Sequence, residues 1–225
     1  MQRASYKIKE LLDQTAAWLG FFILSPLLWI LALFIRLDSP GPAFFRQVRI
    51  GQGGRPFVAY KFRSMVENAP TMELGLRLGV NDLRITRLGK FLRNTSLDEL
   101  PQLFNIIKGE MSLVGPRPPH AFNVIAYNDF QRRRLRVKPG ITGWAQINGR
   151  NAIPWEERIN LDVWYVDNWS LKLDSYILLR TIKTWVRREG LYGPNGINYE
   201  FGNPEDEEKA IEILLSKFKS TYSRS

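Results

Sequence analysis

The chain has no cysteine and a single histidine, His120, in 225 residues. Without cysteine there is no disulfide, no thiolate nucleophile and no thiolate-bound structural zinc. With one histidine a multi-histidine metal centre is excluded, and a Ser-His-Asp triad would have to be built on His120. That residue follows Pro118-Pro119, and the turn predicts an exposed histidine without a catalytic part. Acidic residues are outnumbered too: 22 Asp and Glu against 32 Lys and Arg, a formal net charge of +10. Chemistry must therefore rest on carboxylates, basic side chains and hydroxyls, with an oxygen-ligated ion such as magnesium as the compatible metal. The positive excess suits nucleic acid, an anionic bilayer surface or a phosphorylated substrate.

Apolar residues are not scarce. Ala16 to Ile35 reads AAWLGFFILSPLLWILALFI without a charge, and about 20 such residues match a bilayer's hydrocarbon thickness. In its middle stand Ser25 and Pro26. A proline inside a helix removes a backbone donor and kinks or breaks it; at membrane depth the serine hydroxyl is one of few partners for the carbonyl set free. Lys7 and Lys9 precede the run and Arg36 follows it, so positive charge does not define an inside and an outside. Two arrangements satisfy this: a helix that bends at Ser25-Pro26 and leaves by the face it entered, or one kinked span. A secretory signal is a poor reading of this run, which is too long and is followed by RLDSPGPAFF, without a small-residue cleavage site.

Three regions follow: a membrane helix over residues 1–37, a catalytic domain over 38–190 and a tail over 191–225. DSPGP separates the first two. Residues 43–50 and 55–65 flank GQGG and predict a β-hairpin, with Lys61 and Arg63 on one face of its second strand. Residues 66–84 read as a loop with a short helix. Ser96 and Glu99 form an S-x-x-E capping box opening a helix, with Thr95 or Ser96 as the cap. KPGITGWAQINGRN, rich in glycine, predicts a ligand-binding loop rather than a core element. From Pro154 helical stretches interleave tryptophan with basic residues, the pattern of an interfacial helix or of a core helix in a basic protein. NPEDEEKAIEILLSKFK predicts a final amphipathic helix capped by Asn203. The fold class is α-rich α+β.

Asp98 and Glu99 are the sharpest candidates for chemistry. Acids in a helix's first turn are common, since they favour the positive end of the dipole. The surrounding cations point further. Lys61, Arg63, Arg87, Arg93, Arg117 and Arg150 sit in short, turn-rich segments, and arginine forks are the usual grip on phosphate oxygens. A carboxylate among phosphate-binding cations is arranged to attack, or to bridge a metal to, a phosphoryl group. A membrane-anchored nucleic-acid binder would need a basic recognition helix or an aromatic strand motif, and neither is present; a non-enzymatic scaffold would need no dyad.

SPGPAFFRQVRIG, YKFRSM, NDLRITRLGKFLRNTSLDELPQLFNIIKGEMSLVGPRP, KPGITGWAQINGRN and LDVWYVDNWSLKLD, with the Ser-Pro-interrupted helix, resemble the bacterial sugar transferase family. Its monotopic members are polyprenyl-phosphate phosphoglycosyl transferases. The resemblance implies transfer of a phosphosugar from a nucleotide diphosphosugar, commonly a UDP-sugar, to polyprenyl (undecaprenyl) phosphate, releasing UMP. This would be the first membrane step of glycan assembly, at the cytoplasmic face of the bacterial inner membrane. It implies a re-entrant helix broken at Ser25-Pro26, with Asp98 as a nucleophile that carries the phosphosugar and helps bind Mg2+. Glu99 would assist the metal or the acceptor's deprotonation. Lys61, Arg63, Arg93 and Arg117, with Gln146, Arg150 and Asp162 near the nucleotide, would bind substrate. Anionic phospholipids would be partners of the basic surface; nucleic acid would not. PPHAFN and Arg134-Leu135 depart from the acidic residue and the Arg-His that many members carry there. The match implies a minimal form lacking the multi-pass region of larger members. The tail has no counterpart in it; packing on the domain, self-association and mobility are its three readings.

Overall fold

The computed structural model describes residues 3–67, 69, 78–79, 82–187, 190, 193, 197–198 and 204–222. It is helix-rich with three two-stranded sheets. The apolar run lies within one helix, α1 (Arg3–Asp38), about 54 Å long at 1.5 Å per residue. Pro26 sits inside it, and helix continues on both sides, where a break between two helices was expected. Ser25 Oγ donates to the Phe22 carbonyl at 2.9 Å. That carbonyl, four residues before Pro26, is the one the proline cannot bond, so the serine supplies the missing donor locally.

One face of α1 is seated on the rest of the chain along its whole length. Near the N-terminal end, Lys9 donates to Asp174 at 2.7 Å and Asp13 accepts from Ser112 Oγ at 2.6 Å. In the middle Ala17 is fully buried. At the far end Leu31, Ala32 and Ile35 pack with Phe62 and Leu92. The opposite face is bare and apolar, with Ile23 75 % and Trp29 77 % exposed.

The hairpin is as the sequence predicts: β1 (Phe44–Ile50) pairs antiparallel with β2 (Pro56–Phe62) across the glycine-rich turn. β3 (Leu78–Gly79) pairs with β6 (Ile197–Asn198), and β4 (Ser112–Val114) runs parallel to β5 (Gly140–Thr142). That last pair corrects the loop expected over KPGITGW. Val114 and Thr142 are buried, and the glycines are there because the backbones meet: a Cβ on Gly140 would collide with the Gly115 amide. The expected helix opening at Ser96 is a 3-10 turn, Leu97–Gln102, between α2 (Arg87–Asn94) and α3 (Leu103–Ile107). Short helices α4 (Ala121–Ile125), α5 (Asp129–Arg132) and α6 (Trp144–Ile147) lead into α7 (Trp155–Asn168) and α8 (Leu171–Arg187). α9 (Glu207–Tyr222) packs Ala210, Ile211 and Leu214 onto a core of Ile50, Phe122, Tyr127 and Ile159. Its expected cap Asn203, and most of the 66–84 loop, lie outside the described residues.

Candidate active site

The end of β2, the 3-10 turn, the loop after β4, the turn after α6 and the middle of α7 converge on one cavity of about 380 Å³. That is within the range of small-molecule sites. Lys61, Arg63, Arg93, Asp98 and Glu99 line it, as do Arg117, Gln146, Arg150 and Asp162. The nine residues given a catalytic or substrate-binding part thus reach one place, although their side chains do different things there; Arg87, the other cation singled out, opens α2 and does not line the cavity.

Glu99 is locked. Arg117 Nη2 donates to its Oε1 at 2.8 Å and Nη1 to its Oε2 at 3.3 Å, while Lys61 Nζ lies 3.2 Å from Oε1. Burial works to raise this carboxyl, but Arg117, Lys61 and Arg150 outweigh it and hold it well below the usual carboxylate range. Asp98, its neighbour, forms no hydrogen bond or salt bridge among the described residues. Burial and the adjacent Glu99 charge push its carboxyl upward, against the pull of Lys61, Arg93 and Arg117. Among the described residues one carboxylate is fixed by hydrogen bonds and the side chain of the other accepts none. Burial brings the Lys61 ammonium down to about 8, with Glu99 resisting.

The backbone sets this up. Ser96 adopts left-handed φ 52° and makes no side-chain cap bond, so the capping box is corrected: an N-cap needs extended dihedrals, and Glu99 is taken by two cations instead of reaching back. Arg150, at φ 53°, is the other non-glycine residue with positive φ among the described residues. Arg150 lines the cavity and Ser96 leads into the turn that carries Asp98 and Glu99; strained backbone concentrates at such sites. Arg150 forms no hydrogen bond or salt bridge among the described residues either.

Arg63 is placed differently from the phosphate grip expected of it. Its guanidinium donates to the Ile35 carbonyl at 3.3 Å, the Ser39 carbonyl at 2.6 Å and the Pro40 carbonyl. It satisfies the open end of α1. Arg93 donates to Ser64 Oγ at 3.3 Å. Asp162 Oδ2 accepts from Arg134 at 2.5 Å, while its Oδ1 and both polar atoms of the Gln146 amide are buried without a partner among the described residues. Burial raises the Asp162 carboxyl against the Arg134 charge. Arg134, seen in the sequence only as a departure, also donates to Tyr127 Oη at 2.6 Å and the Arg117 carbonyl at 2.9 Å. His120 is corrected: it is 4 % exposed and lines the cavity. Arg49, Asn123 and Arg158 line it as well, with no sequence signal that could have found them.

Among the described residues no cluster of three or more acidic or histidine side chains could cage a metal. Magnesium seldom needs one: it keeps waters and takes one or two carboxylates plus substrate phosphates. The unengaged Asp98 carboxylate fits that role, with Glu99 beside it.

Residues 4–188 match the family model described as bacterial sugar transferase. The chain is similar to the uncharacterized sugar transferase EpsL of Bacillus subtilis, 46% identical over 193 residues that cover 86% of this chain and 94% of the relative. It is similar to the undecaprenyl-phosphate galactose phosphotransferase of Salmonella typhimurium, 41% identical over 206 residues covering 85% of this chain and 43% of that protein. The UDP-glucose:undecaprenyl-phosphate glucose-1-phosphate transferase of Escherichia coli is 43% identical over 189 residues, 78% of this chain and 39% of its own. The chain thus spans less than half the length of the two relatives whose reactions are named. A match over most of its length makes this chain a member of the bacterial sugar transferase family.

Proposed function

We propose that the protein transfers a phosphosugar from a UDP-sugar to a polyprenyl phosphate, undecaprenyl phosphate by analogy with its relatives, in two displacements at Asp98. An Asp98 carboxylate oxygen attacks the phosphorus that bears the sugar; the bridging P–O bond breaks and UMP leaves. A phosphate oxygen of the lipid then attacks the same phosphorus, breaks the aspartyl bond and yields the polyprenyl diphosphosugar. Storing the phosphosugar on the enzyme lets one site serve both partners in turn. The observation that carries this reading is the contrast within the dyad: Glu99 held by Arg117 and Lys61, and beside it an Asp98 carboxylate with no hydrogen bond or salt bridge among the described residues.

Arg117, Arg150 and Lys61 supply positive charge where phosphate oxygens gather it. Asp98, with Glu99 next to it, would hold Mg2+, which when bound shields the diphosphate and polarises its phosphoryl oxygens. The buried, unpartnered Gln146 amide and Asp162 Oδ1 are suited to polar groups of the nucleotide sugar, since such atoms cost free energy until paired.

The protein works from one leaflet in this account, at the cytoplasmic face of the plasma membrane. Support comes from α1, whose two ends are fastened to the same domain by Lys9–Asp174 at one end and Arg63 at the other. A perpendicular span would drag that polar domain into hydrocarbon. Exposed Leu179, Ile182 and Trp185 on α8, beside Arg180 and Lys183, suit an interfacial helix over anionic headgroups. Radiolabelled UDP-sugar given with undecaprenyl phosphate tests the reading. Label should move into a lipid extract in step with UMP release; UMP release without labelled lipid, or neither, rejects it.

A further inference from the structure

α9 lies beyond the residues that match the family, yet one of its side chains reaches the wall of the active site. Glu207, the first residue of α9, places Oε1 3.1 Å from His120 Nδ1, while its Oε2 accepts from the Phe122 amide at 3.0 Å. The helix is seated rather than merely tethered. One turn on, Ala210 is fully buried, and Ile211 and Leu214 pack beside Phe122 and Ile159. His120 is itself buried, stacks on Phe122 at 5.0 Å and lines the cavity.

The segment these bonds hold is Arg117-Pro118-Pro119-His120. Two prolines fix two φ angles, so the position of His120 is stiffly linked to that of Arg117. From the other side, Arg49 donates to the Pro118 carbonyl at 3.2 Å, the Ile50 amide to that of Pro119 at 3.1 Å and Arg134 to that of Arg117 at 2.9 Å. Arg117 in turn makes two hydrogen bonds to Glu99. A continuous path of bonds and rigid backbone runs from the C-terminal helix to the dyad.

We propose that Glu207 is a positioning residue for the active site. It holds His120 and the start of α4, and through the two prolines it sets where Arg117 presents its guanidinium to Glu99 and to substrate phosphates. The role given to Arg117 rests on the transfer reading above. Positional tolerance at such a group is narrow: a shift of about 1 Å can cost about a hundredfold in rate.

The test uses the full chain with undecaprenyl phosphate and whichever of UDP-glucose, UDP-galactose and UDP-N-acetylgalactosamine the wild type turns over fastest. Glu207→Ala should lower kcat about tenfold or more in protein that melts as one folded species. Glu207→Gln, which keeps an acceptor for the Phe122 amide, should recover part of that loss, and also serves if the alanine variant does not fold. Adding His120→Ala to Glu207→Ala should cost less than the sum of the two single losses, because the His120–Glu207 contact they share is already gone. Wild-type kcat and KM in folded Glu207→Ala or Glu207→Gln, or strictly additive losses in the double variant, would overturn the proposal. Failure of the transfer reading looks different: Asp98→Asn would then keep the wild-type rate. If only the positioning is wrong, Asp98→Asn is dead and the Glu207 variants are unimpaired.

Discussion

Lys61 should give opposite pH responses in activity and in stability. Its ammonium stands 3.2 Å from Glu99 with the side chain 17% exposed, and burial brings its pKa down to about 8 although Glu99 resists. In the free enzyme that cation discharges as pH passes about 8, and a donor to substrate phosphate goes with it. Because kcat/KM reports the free enzyme, it should fall by up to about tenfold per pH unit above that point. Stability runs the other way. An unfolded lysine titrates near 10.4, so between about 8 and 10.4 the unfolded state binds more protons than the folded one, and raising the pH favours folding. A gap of about two pKa units is worth roughly 3 kcal/mol across that window. Initial rates of UMP release from pH 6 to 9.5, beside denaturant unfolding at the same pH values, measure both. Lys61→Arg keeps its charge throughout, so its alkaline decline in kcat/KM should vanish and its stability gain should flatten. The reasoning is refuted if Lys61→Arg declines at the same pH as the wild type.

Arg63→Ala, which takes the guanidinium from the Ser39 and Pro40 carbonyls just past α1 and leaves that of Ile35 with the Ser39 amide alone, should destabilise by about 1–3 kcal/mol per acceptor left buried; kcat of the folded fraction should stay at the wild-type value, which activity normalised to folded protein checks. Ser25→Ala/Pro26→Ala removes the hydroxyl that serves the Phe22 carbonyl and restores an amide at position 26 to bond it instead, so α1 should stay one helix, which circular dichroism checks. A cysteine introduced near position 5 should be protected from an impermeant reagent in intact cells, in the wild type and in this variant alike, because Lys9–Asp174 fastens that end of α1 to the domain; labelling of the wild type contradicts the one-leaflet placement.

Local signals carried far in this chain. The GQGG turn between two β-prone runs fixed the hairpin, and Ser25 beside Pro26 foretold the bond to Phe22. Asp98 and Glu99 stood out because cations crowd the motifs around them, and those motifs line one cavity. What stayed hidden depends on partners distant in the chain. The Gly140–Thr142 strand is apparent only once Ser112–Val114 lies beside it, and the glycines that permit the approach read locally as a loop. His120 looked exposed after two prolines, but Glu207, 87 positions away, covers it. Arg63 and Lys61 share a sequence spacing and part company in space, one to the carbonyls of α1 and the other to Glu99. The division of labour within the dyad is likewise tertiary, since it is set by Arg117 from another loop.

The central claim is that Asp98 carries the phosphosugar, and trapping it is the most direct measurement. UDP-sugar labelled in the phosphate next to the sugar, supplied without lipid acceptor, should leave label on the protein. Proteolysis should place it on the peptide containing Asp98, and later addition of undecaprenyl phosphate should discharge it into lipid. Asp98→Asn should take no label, because an amide cannot serve as the anionic nucleophile, whereas Glu99→Gln should still take some. Equal labelling of the Asp98→Asn variant, or full turnover by it, would contradict the account.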